Sequence, residues 1–138
     1  MPALRTRAAR VLRVFCPVEA KTLERLLCGD TAAMVQDPTL AALLDIVRSD
    51  NPLGDFGSYR SVMEIAPGWE LFTPGARASP TLGKADAAAV SPTVILTIHV
   101  PADAPEATFD AAVRRILEAH PWEVPVIEVS ETRLIERG

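Results

Sequence analysis

Along this chain the period of the apolar positions switches between two and about 3.6, and each switch marks an element. Residues 11–16 (Val-Leu-Arg-Val-Phe-Cys) read as a short strand that Pro17 closes. Residues 19–28 read as a helix, because Ala20, Leu23, Leu26 and Leu27 recur at helical spacing and Gly29 supplies a C-terminal stop. Asp37-Pro38 is an N-cap followed by proline at the first helical position, and predicts a second helix over 38–48 with Leu40, Leu43, Leu44 and Val47 on one stripe. Residues 59–66 have strand character, Ala66-Pro67-Gly68-Trp69 has a type II turn composition, and a short return strand is expected over 70–73. Residues 74–92 read as a long loop. A clear strand follows over 93–100, closed by Pro101. Phe109, Ala112, Val113, Ile116 and Leu117 form one face of a helix that starts near Pro105 and stops at Pro121. Residues 124–129 predict the last strand.

The order is strand, helix, extra helix, strand hairpin, strand, helix, strand. A strand closed by proline and followed by an acidic helix occurs at 11–28 and again at 94–119, a faint internal repeat. Two such halves make an α+β ferredoxin-like sandwich, with an extra helix inserted after the first helix. The first and third strands are expected to lie adjacent and parallel in the sheet centre. Aligning Pro17 with Pro101 places Leu12, Val14 and Cys16 on one face with Val94, Leu96, Ile98 and Val100. That face is apolar and belongs under the helices. The opposite face carries Val11, Arg13 and Phe15 beside Ile95, Thr97 and His99, a mixture too apolar for open water. Self-association through this face is the first expectation about behaviour.

Composition adds boundaries. The 138 residues suit one domain, in which 1–9 is expected to be a basic flexible arm, 30–53 an insertion and 131–138 a loose tail. Twelve prolines break the chain into short elements. A net charge of −4 gives the bulk no footprint for nucleic acid. Arg5, Arg7, Arg10 and Arg13 are the local exception. The N-terminus has no apolar core of signal-peptide length and no stretch is long enough to span a bilayer, so a cytoplasmic protein with no membrane partner is expected.

Candidate chemistry is sparse. Cys16 and Cys28 are too far apart for a disulfide if a helix separates them, and two free thiols are expected. His99 and His120 are the only histidines. The helix between them puts them at opposite ends of the sheet, about 20 Å apart, so one subunit cannot use both on one metal. His120 suits a helix C-terminus, and His99 suits an interface. Cys16 falls on the helix side and His99 on the other, so the pair makes no thiol nucleophile. There is no phosphate-binding glycine loop and no Gly-x-Ser-x-Gly elbow. The central strands offer only Phe15 as an RNA-stacking aromatic.

Several motifs resemble a known family. His120-Pro121-Trp122-Glu123-Val124-Pro125 resembles the His-Pro-Tyr-Glu-x-Pro signature shared by the CutA family and the insert domain of the YqfO (Nif-three-like) proteins, with Trp122 in place of tyrosine. Gly54-Asp55-Phe56-Gly57-Ser58-Tyr59 resembles the insert's Gly-x-Ile-Gly-x-Tyr segment. Trp69-Glu70-Leu71-Phe72-Thr73-Pro74 resembles its return strand, and Ser79-Pro80-Thr81-Leu82-Gly83 its Asn-Pro-x-Ile-Gly loop, with Ser79 in place of asparagine. CutA lacks the middle segments, so the YqfO-like insert is the nearer match. The resemblance implies a PII-like fold that trimerises through its sheets, and a signalling loop between the second and third strands. The dimetal site of the full-length family lies in flanking halves and does not transfer.

The expected function is therefore an oligomeric, non-enzymatic binding protein, a homotrimer that takes a small molecule, an ion or a protein partner in inter-subunit clefts near loop 74–92. Candidate ligand-binding residues are His99, His120, Trp122, Glu123, Tyr59 and Gly83; no catalytic residue, resident metal or cofactor is expected. Gly54, Gly57 and Gly83 are expected at positive φ, and the aromatics also suit simple packing. The alternatives are a metal-dependent enzyme assembled across subunits from His99, His120 or Glu123, and an adaptor that docks through exposed leucines of helix 38–48.

Overall fold

A computed structural model describes residues 3–138. The first strand, β1 (Arg5–Pro17), is followed by three helices, α1 (Ala20–Leu27), α2 (Ala33–Gln36) and α3 (Pro38–Arg48). Then come β2 (Glu64–Phe72), β3 (Ala89–Pro101), α4 (Glu106–Ala119) and β4 (Ile127–Glu136). The strands form one sheet in the order β2-β3-β1-β4, with every neighbouring pair antiparallel. This is the ferredoxin-like α+β arrangement that the strand and helix order predicts.

Alternation along β1 and β3 divides the sheet as expected. Leu12, Val14 and Cys16 pair with Ile98, Leu96 and Val94, and all six are fully buried. Helices α3 and α4 close over this face with Leu40, Leu43, Leu44, Val47, Phe109 and Ile116. The opposite, outer face pairs Val11 with His99, Arg13 with Thr97 and Phe15 with Ile95, and among the described residues no helix covers it. Ion pairs join Arg13 to Glu128 at 3.7 Å and both Arg5 and Arg7 to Glu136 across β1 and β4.

Four expectations need correcting. β1 and β3 are adjacent but antiparallel, because the helices bring β2 back parallel to β1 and the connection over 73–88 then reverses the chain into β3. The expected hairpin at Pro67-Gly68 is one continuous strand: β2 is an edge, and its alternation directs Pro67 away from β3, where the missing N–H costs no ladder bond. Residues 5–9 and 131–136 are not loose. They pair with each other, Arg5 opposite Glu136 and Ala9 opposite Thr132, so the charged residues that look solvated are strand ends. Residues 1–2 lie outside the described residues.

The fourth correction is the docking helix. Leu40, Leu43 and Leu44 are at most 1% exposed, so α3 spends its apolar stripe on the chain's own core. Asp37 fixes its start. One carboxylate oxygen accepts the Leu40 N–H at 3.0 Å, and the other accepts the Glu19 N–H at 2.9 Å and the Thr22 hydroxyl at 2.8 Å. A single buried side chain thus caps α3 and holds the start of α1. The insertion is a second core-forming layer, not an appendage. Leu43→Ala is expected to lower the free energy of unfolding by about 3 kcal/mol in urea melts; an unchanged midpoint would mean that α3 is not part of the core.

Candidate functional site

Helix α4 ends where Pro121 forbids another turn, and His120 is its C-cap. The imidazole is 6% exposed and both its nitrogens are engaged. Nδ1 accepts the Trp122 N–H at 3.1 Å, so the proton resides on Nε2, which donates to the Phe15 carbonyl at 2.7 Å. This neutral tautomer pins the end of α4 to β1. Burial pushes the His120 pKa below its ordinary value, against the opposing pull of the Phe15 carbonyl and the Glu70 carboxylate.

The pinned segment then holds the loop, which spans 73–88 and not 74–92, because 89–92 already pair with β2 as the start of β3. The Glu123 carboxylate accepts the Ser79 N–H at 3.1 and 3.2 Å, and the Thr81 hydroxyl donates to the Pro121 carbonyl at 2.7 Å. The rings of Phe72 and Trp122 meet at 5.9 Å between centroids. Gly83 sits at φ +90°, where a β-carbon would come within 3.2 Å of the Ala89 β-carbon, so glycine alone lets the loop fold down beside Phe72.

Between the loop and residues 122–124 lies a cleft of about 270 Å³, lined by Glu70, Phe72, Pro80, Leu82, Trp122 and Glu123 among others. It is acidic and aromatic, and no basic side chain is among the described residues that line it. Glu70 and Phe72 are two apart on β2 and so share a face, the outer one. The Glu70 Oε1 is buried without a hydrogen-bond partner, which is costly for a carboxylate oxygen.

The six candidate residues fall into two groups. His120, Trp122, Glu123 and Gly83 come together around this cleft. His99 and Tyr59 do not join them. His99 pairs with Val11, four residues along β1 from Phe15 and so about 13 Å away. There Phe56 packs edge-on against the His99 ring at 6.2 Å, Glu64 lies 4.0 Å from its Nδ1, and Nδ1 has no hydrogen bond. Tyr59 is 74% exposed, and its carbonyl accepts the Phe56 N–H at 2.8 Å. Gly54 holds this turn at φ +70°, with Val62 backbone atoms 2.5 Å from any β-carbon placed there. Gly57 also has positive φ, as expected.

Sequence reasoning did not single out Glu70 or Thr81. The signal for Glu70 is its even spacing from Phe72 within the expected return strand, which puts both side chains on one face. Among the described residues no group of three or more histidine, cysteine or acidic side chains is placed to hold a metal ion. Both thiols are free. Burial pushes the Cys16 thiol up to about 12, with the Asp37 charge adding to it, so it is no thiolate nucleophile near neutral pH. No helix is long and apolar enough to cross a membrane, among the described residues.

No protein-family model and no curated protein matches this sequence. Among solved structures, the crystal structure of a Bacillus cereus protein related to NIF3 superposes with a TM-score of 0.54 at 17% identity. The match covers 94% of this chain and 27% of that protein, so the chain corresponds to about a quarter of its length. This likeness is one of fold.

The His120 lock has a pH signature. Its folded pKa lies below the unfolded value of about 6.5, so in mild acid the unfolded chain binds the extra proton and stability falls as pH drops. Urea melts between about pH 7 and 5.5 are expected to lose stability more steeply for the wild type than for His120→Gln. Parallel losses would mean that the imidazole does not titrate with unfolding.

Proposed function

We propose that this chain is a self-associating binding module, not an enzyme, and that the cleft between loop 73–88 and residues 122–124 takes a small organic cation. The unpartnered Glu70 oxygen carries the reading. An ammonium group brings the donor that this oxygen lacks, and the Glu123 carboxylate adds a second negative charge. The Phe72 and Trp122 rings offer faces to the attached alkyl chain or to the cation itself. The volume suits a compact amine and not a nucleotide. Because loop 73–88 is one wall, occupancy alters the surface that the loop presents, which makes the module regulatory.

The outer sheet face supports the self-association. Val11, Phe15 and Ile95 run along it half-buried with no helix above them. The motif resemblance points to three copies, packed sheet to sheet in the PII-like manner. The NIF3-related neighbour is consistent with a domain that also occurs within a larger protein.

Two measurements test the reading. In calorimetric titration a short aliphatic diamine binds the wild type, and Glu70→Gln weakens it by about ten- to a hundred-fold. Equal affinity for the variant, or for the dicarboxylate of the same length, overturns the cleft assignment. Light scattering at micromolar concentration is expected to give a multiple of three times the 14.9 kDa chain mass. A mass of 14.9 kDa contradicts the self-association.

A further inference from the structure

The two edges of the sheet are built differently. At the β2 edge, the groups directed outward include Pro67, which has no N–H to offer. The β4 edge has no such guard. The Phe15 N–H donates to the Val126 carbonyl at 3.1 Å, and this pair fixes the phase of the ladder. Even residues of β4 turn their N–H and C=O toward β1, and the odd ones turn theirs outward. Ile127, Val129, Glu131, Arg133 and Ile135 therefore present main-chain donors and acceptors along a ten-residue strand that pairs, among the described residues, with β1 alone.

The side chains of these same residues lie on the helix side of the sheet, in register with Leu12 and Val14. Yet no helix reaches them fully: Val129 is 51% exposed and Ile135 69%. A long proline-free edge with uncovered apolar side chains is open to another strand wherever its own charges, Glu131 and Arg133 among them, meet opposite charges there.

Its own sequence is the complement. An antiparallel β4 from a second copy, placed on a two-fold axis through Thr132, puts Val129 opposite Ile135 and Glu131 opposite Arg133, and the symmetry repeats both pairs. All four are outward-directed residues, so each facing pair exchanges both main-chain hydrogen bonds. Moving the axis by one residue to Glu131 sets that glutamate against itself, and moving it to Arg133 does the same for the arginine. Only the Thr132 register among these matches opposite charges and apolar side chains together. On the outer side it sets Glu128 near Glu136, but Arg13 already pairs with the first, and Arg5 and Arg7 with the second.

We infer that the β4 edge is a homodimer interface, in which two copies join about Thr132 into one continuous eight-stranded sheet. This surface is separate from the outer face, so it doubles whatever assembly that face makes.

Charge exchange tests the register with the full chain. Light scattering is expected to show that Glu131→Arg and Arg133→Glu each halve the wild-type mass, and that the double variant restores it. Equal masses for all four proteins, or a double variant that stays at half mass, overturns the inference. A second readout does not depend on charge. Facing Thr132 residues form a non-hydrogen-bonded pair with α-carbons about 4.5 Å apart, within disulfide reach. Thr132→Cys in a Cys28→Ser background is expected to run as a covalent dimer on a non-reducing gel after mild oxidation. A monomer band overturns it as well.

Discussion

The alternation of β1 is the constraint on which the other parts depend. Successive residues of this strand turn their main-chain groups to opposite neighbours, β3 on one side and β4 on the other. The same alternation sends Leu12, Val14 and Cys16 into the core and leaves Val11, Arg13 and Phe15 on the outer face. A shift of one residue would exchange the faces and expose the core set. Helices α3 and α4, the outer face and the β4 edge all take their positions from this one strand.

The cleft is a consequence of how α4 ends above it. The His120 imidazole hydrogen-bonds to the Phe15 carbonyl, and Trp122 hydrogen-bonds back to the ring. The next residues then reach the loop through Glu123 and Thr81's contact with Pro121. A helix terminus, a central strand and a long loop are joined by a few directional bonds at one end of the outer face. The Glu70 oxygen is left inside that junction without a donor. The one other buried side-chain atom without a partner among the described residues, the His99 Nδ1, lies at the far end of the same face.

Much of this was legible in the sequence, for physical reasons that can be named. The Asp37-Pro38 cap and the leucine stripe placed α3 at its true bounds, because capping and helical periodicity are local. What helix 38–48 packs against was not local, and the docking expectation failed there. Face assignment survived a wrong strand direction, since an even offset in either direction keeps even residues beside even ones. Pro67-Gly68 read as a turn because its composition is that of a turn; only the strand order, with β2 at the edge, makes the proline acceptable in a strand. The ends of β1 and β4 were missed because their charges find partners across the sheet, far away in sequence. At the site, the His120-Pro121-Trp122-Glu123 run was legible as a motif, whereas His99 and Tyr59 belong to the other end of the face.

The central claim is that the cleft beside Trp122 recognises a cation. The chain has two tryptophans, Trp122 in the cleft and Trp69 exposed on β2, so its nitrogen-15 spectrum carries two indole signals that report on different places. Adding a simple alkylammonium salt at constant ionic strength is predicted to move the Trp122 indole signal saturably and leave that of Trp69 in place. If neither signal moves, or both drift together without saturation, the cleft is not a cation site.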